Sequence, residues 1–264
     1  MALSYSEYLH LDTLLNAQNR LSEGPEHDEM LFIIIHQVYE LWFKEILHEM
    51  DYLKIILGKE DLPRSLHTMK RILTILKILV AQIDILETMT PLEFLSFRVR
   101  LESASGFQSA QFRELELCLG KRTSGMLNRT HFGEKEKARI EKRIQEPTLW
   151  DAFTAYLSKA GYTVPEEYLK RDYSLPFGAS PKIQNLLKDL YKSDPANAQF
   201  CELMVDLDEG FQEWRYRHVK MVQRTIGTKK GTGGSDGVKY LMTTLNQPFF
   251  PDLWEIRTEL KKDA

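Results

Sequence analysis

Two histidines are set where a solvated side chain does not belong. At 100° per residue, Phe32, Tyr39, Phe43 and Leu47 fall within about 60° of His36, so its imidazole lies inside an apolar helical stripe. His218 repeats the arrangement in FQEWRYRHVKMVQRTIG, where Phe211, Trp214, Met221, Val222 and Thr225 share its face. Arg217, Lys220 and Arg224 gather on another face, expected to meet solvent or a partner. An imidazole on an aromatic wall reads either as a core histidine satisfied by one hydrogen bond or as a donor facing a ligand. For His218 the ligand reading is an axial haem site, since haem needs one strong nitrogen donor and an apolar slot. Taken one at a time, the two residues leave both readings open.

Three further features bear on chemistry. Arg98 follows Phe94 and Phe97; its guanidinium fork matches a carboxylate, or its stem snorkels over an apolar face. Glu45-Ile-Leu-His48 has the Glu-x-x-His spacing of di-iron carboxylate bundles, but His48 projects about 120° from His36 and reads as part of a solvated face. The loop GTKKGTGGSDG at 227–237 is glycine-rich enough to suggest a phosphate cradle. It lacks the Lys-Ser/Thr of a phosphate loop and follows a helix rather than a strand. Its glycines permit close backbone approach to a ligand, so an active-site flap competes with a plain connection.

The elements that must position these residues are helical. Residues 29–57 keep an apolar stripe closed by Gly58, and a second helix is expected from Pro63 to Thr88. A third starts at Thr90-Pro91-Leu92-Glu93, with a capping-box acceptor, proline at the first helical position and glutamate at the third. It is expected to run towards Leu119 with a break at Ser103–Gly106. From about 120 to 195 the pattern weakens among scattered prolines, which predicts a smaller inserted helical subregion. A long helix follows from Pro195 to Ile226, then the glycine loop, then a short helix from Val238. Strand-like alternation is scarce, so the fold class is all-α, with residues 1–264 as one domain.

Composition narrows the function class. The chain has 264 residues, 43% hydrophobic and 28% charged, with a formal net charge of -3. No basic excess argues for nucleic acid, and no uninterrupted apolar run is long enough to span a membrane. Cys118 and Cys201 are the two cysteines, far apart and without CxxC spacing, which fits a reducing cytoplasm and excludes a zinc-finger or iron–sulfur framework. The start MALSYSEYLHLDTLL lacks the features of a secretory signal.

Five segments, in order, resemble the tryptophan 2,3-dioxygenase family: YSEYLHLDTLLNAQ, HDEMLFIIIHQVYELWFKEILHE, TPLEFLSFRVRLESASGFQSAQFRELE, WRYRHVKMVQRTIGTKKGTGGSDGVKYL and FFPDLWEIRTEL. Together they cover most of the chain outside 120–195. The resemblance implies a helical haem-binding bundle, assembled as a homotetramer with haem b. It implies opening of the indole ring of L-tryptophan with O2 to give N-formylkynurenine, the first step of tryptophan degradation by the kynurenine route. On that likeness His218 matches the proximal iron ligand and His36 the distal histidine that takes the indole N–H. Phe32, Ile33, Ile34 and Ile35 match the substrate-pocket wall, Arg98 the arginine on the substrate carboxylate, and Thr232 the loop residue near the substrate's ammonium and carboxylate. Ser105 matches a position close to a haem propionate. Tyr5, Tyr8 and Leu9 match a segment reaching into a neighbouring subunit's pocket. Phe94 stands where some members carry tyrosine, and Asp236 where serine is frequent, so a hydroxyl contact and the loop's closure could differ. An indoleamine dioxygenase-like enzyme of broader range, or a non-enzymatic helical haem-binding or interaction protein, are the competing readings. Arg98, Thr232 and the glycine loop argue against a simple carrier, which needs no amino-acid clamp.

Overall fold

A computed structural model describes residues 2–122, 132–232 and 238–261, and among them every regular element is a helix. Two short helices, α1 (Tyr5–Leu9) and α2 (Leu11–Leu15), bury no residue. The long helix α3 (Glu29–Gly58) buries Ile35, Tyr39, Phe43, Ile46, Leu47, Met50, Leu53 and Leu57 at the spacing of its apolar stripe. It ends with Glu60, not Gly58, in the left-handed region (φ 61°). Next comes α4 (Leu62–Leu86), started by Asp61, whose carboxylate accepts from the Arg64 backbone N–H at 3.1 Å, and by a proline in its first turn.

The expected start at Thr90 is present. Thr90 and Glu93 exchange side-chain-to-backbone hydrogen bonds, and the helix α5 (Pro91–Arg98) follows. It is shorter than the sequence pattern predicts. A 3-10 turn at Val99–Leu101 gives way to Glu102 at φ 48°, and a second 3-10 turn at Gly106–Gln108 starts from Ser105. Only at Ala110 does the helix α6 (Ala110–Cys118) begin. The left-handed residue breaks the run just ahead of the small residues expected to break it.

The weakly patterned stretch holds α7 (Glu134–Ile144), α8 (Leu149–Lys159), α9 (Glu166–Leu169) and α10 (Pro181–Ser193). Leu149, Trp150, Phe153, Leu157, Ile183, Leu187 and Leu190 belong to the same core cluster as α3 and α4, so α8 and α10 join the main core, whereas Phe132 and Ile140 of the α7 segment form a smaller cluster with Ala110 and Leu117 of α6. The helices of this stretch are short and separated by prolines, which is why a periodicity window blurs them. The long α11 (Pro195–Ile226) is capped by Asp194, which accepts from the Asn197 N–H at 3.0 Å. After it come α12 (Val238–Met242) and α13 (Pro251–Glu255).

The helices α3, α4 and α11 form the frame, with α4 packed against both of the others. At Gly210 the α11 backbone approaches α4 so closely that a Cβ would lie 2.7 Å from Leu76 Cδ2. Asp208, fully buried one half-turn earlier, ties the C-terminal segment to α11. It accepts from the Phe249 and Phe250 N–H groups (2.8 and 3.1 Å) and from Trp254 Nε1 (3.0 Å). Arg217 and Arg224 pair with Asp84 and Glu87 at the end of α4, holding the two long helices in register.

Candidate active site

Helix spacing decides which residues of α3 face inward. His36 and Phe32 are one turn apart and lie on the same side, with ring centroids 4.2 Å apart. Both line a cavity of about 260 Å³ shared with residues of α4, α5, α6, α11, α12 and the loop before α12. Ile33, Ile34 and Ile35 do not line it. Each turns a further 100° away, so Ile35 is in the core and Ile34 is exposed. Of the four residues matched to the pocket wall, only Phe32 forms it within this chain. Phe94 and Phe97 pack on Phe32 at 5.8 and 5.5 Å and complete an aromatic corner, of which Phe94 faces the cavity.

His36 has a defined tautomer. Its Nδ1–H donates to the Phe32 carbonyl at 2.7 Å, and a carbonyl can only accept. Burial depresses the ring's pKa, opposed by that hydrogen bond and by Glu40, so the imidazole is neutral. Nε2 is therefore left with a lone pair, an acceptor without a proton of its own. It suits an N–H donor in the cavity.

His218 is organised differently. It stacks on Trp214 with centroids 5.3 Å apart and planes 7° from parallel. No hydrogen bond from its ring is found among the described residues, and burial together with the field of His36 depresses its pKa to about 4. A neutral imidazole in an apolar, aromatic-walled cavity, with no protein partner, offers an unused nitrogen donor. Tyr39, Phe43, Phe112 and Trp214 form the continuous wall behind it, and Met221, Val222 and Thr225 extend it along α11. That donor set and wall fit haem: one nitrogen ligand and an apolar slot.

Arg98, at the last turn of α5, lines the cavity. Its Nη2 donates to the Lys230 carbonyl at 2.6 Å, whereas its Nε is buried and has no hydrogen-bond partner. A buried guanidinium N–H without an acceptor is costly unless a ligand supplies one. The loop reaches the same place from the other side, where Thr232 Oγ1 donates to the Ala104 carbonyl at 2.7 Å. Ser105 and Gly106 lie beside it and line both this cavity and an adjoining one of about 730 Å³ that opens towards α7. Ser105 also caps the following turn through the Phe107 N–H. Asp236 lies outside the described residues.

The structure thus gathers His36, Phe32, Phe94, Arg98, Ser105, His218 and Thr232 around one cavity. Tyr5, Tyr8 and Leu9 stay out of it, 75%, 70% and 40% exposed on a helix that touches no core residue. His48 is exposed, and the Glu7–His10 pair that repeats its spacing is exposed as well. Among the described residues no three metal-binding side chains converge. Among the charged cavity residues, Glu40, Arg113, Glu116 and Arg215 escaped the sequence reading. The signal for two of them was the Arg-x-x-Glu spacing of 113 and 116, one turn apart on α6.

The chain matches the tryptophan 2,3-dioxygenase family over residues 1–173 and 183–260. It is 57% identical to the tryptophan 2,3-dioxygenase of Herpetosiphon aurantiacus over 98% of this chain and 99% of that one. It is 53% identical to that of Anaeromyxobacter sp. strain K, covering 98% and 97%, and 42% identical to that of Saccharopolyspora erythraea, covering 98% and 93%.

Proposed function

The chain belongs to the tryptophan 2,3-dioxygenase family, and from that premise we propose how its own residues carry out the haem-dependent cleavage of the indole 2,3-bond of L-tryptophan by O2. Haem b, held by His218, supplies the iron that activates O2. Everything else is positioning. The Phe32–Phe94–Phe97 corner receives the indole ring, and His36 Nε2 accepts the indole N–H, fixing which edge of the ring faces the reacting centre. Arg98 takes the substrate carboxylate, with its unpartnered Nε as the donor in waiting, and Thr232 meets the ammonium and carboxylate end. Ser105, which lines the same cavity, would help to hold a haem propionate. Holding both ends of the amino acid converts a bimolecular encounter into a fixed approach, while the apolar wall keeps water out.

The observation that carries this reading is the asymmetry of the two histidines. One has a fixed acceptor nitrogen and a backbone partner; the other has no partner and stacks on Trp214. His36 orients the substrate, and only His218 touches metal.

The assembly is a homotetramer of single-domain chains spanning 1–264, in which Tyr5, Tyr8 and Leu9 complete a neighbour's pocket. Their exposure on a helix without core contacts supports this, as does the exposed apolar row Ile34, Leu41 and Ile55 along α3. A cytoplasmic location is part of the same proposal, and two free, buried cysteines are in keeping with a reducing compartment.

The deciding test is turnover of L-tryptophan, D-tryptophan and tryptamine under air. N-formylkynurenine from L-tryptophan, with tryptamine turned over far less efficiently, is expected. Equal rates on all three would favour the broader indoleamine reading and remove the carboxylate clamp from the account.

A further inference from the structure

The cavity wall contributed by α6 and α11 holds a buried ionic cluster that tryptophan positioning does not use. Arg113, Glu116 and Arg215 line the cavity and are 8%, 2% and 4% exposed. The Glu116 carboxylate accepts from Lys121 Nζ at 2.9 Å, from Arg215 Nη2 at 3.2 Å and from Arg113 Nη1. Arg215 also donates to the Gln247 carbonyl and lies 4.7 Å from the Phe249 ring centroid, and Asp208 is the other carboxylate whose charge it feels. Three cations thus converge on the one Glu116 carboxylate, while Glu40, the other carboxylate lining the cavity, is held by Gln111.

Arg113 marks where a further anion can be seated. Its guanidinium carbon sits 5.2 Å from the centroids of both Phe107 and Phe112, and its Nε is buried without a hydrogen-bond partner. A desolvated guanidinium between two rings, with a donor to spare on an apolar cavity, is a carboxylate seat. Its place relative to the iron ligand is also right. Phe112 packs on Trp214 at 5.0 Å and Trp214 stacks on His218, so two rings separate the Arg113 guanidinium from the imidazole. A porphyrin carries its carboxylates at the rim, at a remove from the metal.

We propose that Arg113, held by Glu116 and backed by Arg215, anchors one propionate carboxylate of the haem. The inference rests on the haem reading above and goes beyond it by assigning the charged seat. The bound carboxylate takes the spare Arg113 donor, and Glu116 keeps the guanidinium in place. The tryptophan carboxylate, claimed by Arg98, is not its ligand.

The test measures haem release from the holoenzyme into an excess of a high-affinity apohaemoprotein, together with loading of the full chain by iron protoporphyrin IX or by its dimethyl ester. Arg113→Met is expected to release haem roughly tenfold faster or more, the scale of one charged hydrogen bond. The wild type should hold the ester more weakly than haem by a similar factor, and Arg113→Met should hold the two alike. Arg113→Lys keeps the charge and the Glu116 pairing while losing the fork, so it should retain part of the discrimination; it also serves if the methionine variant folds poorly. Unchanged release, or an undiminished preference for the free acid in both variants, overturns the assignment. So does a variant whose only change is a higher KM for tryptophan. A wild type that takes up neither porphyrin overturns the haem reading itself and this inference with it.

Discussion

His36 acts through one nitrogen, and that makes its chemistry sensitive to pH in a definite direction. The neutral ring donates from Nδ1 to Phe32 and accepts at Nε2; the protonated ring has no acceptor left. Because burial places its pKa below the ordinary histidine range, kcat/KM for tryptophan should stay level through neutral pH and fall only on the acid side of about 6.5. His36→Ala should abolish that acid limb while retaining some turnover. If the limb persists in the variant, another group carries it. Arg98 makes a prediction of a different kind. Arg98→Leu should raise KM for L-tryptophan strongly yet leave tryptamine, which has no carboxylate, nearly unaffected, as steady-state kinetics with both substrates would read. Equal losses on both would mean that the side chain acts through its Lys230 contact and not on substrate. At this scale the sequence exposed the two histidines and Arg98 as residues out of place. It could not separate a packed histidine from a working one, because that difference lies in the Phe32 carbonyl and the Trp214 stack, contacts that spacing does not reveal.

The site's precision is set by helices that carry little chemistry. Asp208 spends its buried carboxylate on two backbone N–H groups, the Trp254 indole and Gln212, and so fastens the 249–256 segment to α11. Asp208→Ala strands those donors and should cost about 3 kcal/mol, the penalty of leaving buried groups unsatisfied, seen as a lower melting temperature or denaturant midpoint. A loss within a few tenths of a kcal/mol would show that the segment is held by its apolar side chains alone. The long helices were legible from their unbroken stripes, helped at α4 and α11 by a proline in the first turn, and the start of α5 from its Thr90–Glu93 capping box. The stretch between α5 and α6 was not. Glu102 adopts a left-handed backbone that its residue type does not announce, and the Ala104 carbonyl and Ser105 that meet the site follow from that turn.

Across the whole molecule, the two site histidines tax the fold. Their folded pKa values lie below the unfolded value near 6.5, so above that pH neither costs anything. As pH falls below it, the unfolded chain takes up protons that the folded chain refuses, and stability is lost until about pH 4, where His218 itself protonates. For His218 the loss is on the order of 3 kcal/mol. The haem-free chain should therefore lose less stability between pH 6.5 and 4 in His218→Gln than in wild type, by chemical denaturation at fixed temperature. Identical slopes would place the acid sensitivity in the carboxylates alone. All-α architecture was readable from periodicity, whereas the union of α8 and α10 with the main core was not, since it depends on Trp150, Phe153 and Leu187 meeting side chains distant in sequence. The N-terminal pair α1 and α2 is the reverse case, legible as helices yet without a place on this chain's core.

The division of labour between the histidines is tested most directly by the absorption spectrum of purified His218→Ala beside His36→Ala and wild type, each expressed with haem available. Wild type and His36→Ala should carry a full Soret band, and His218→Ala should lose it together with tryptophan turnover. A His218→Ala protein that keeps both the band and the activity would contradict the assignment of His218 as the iron ligand.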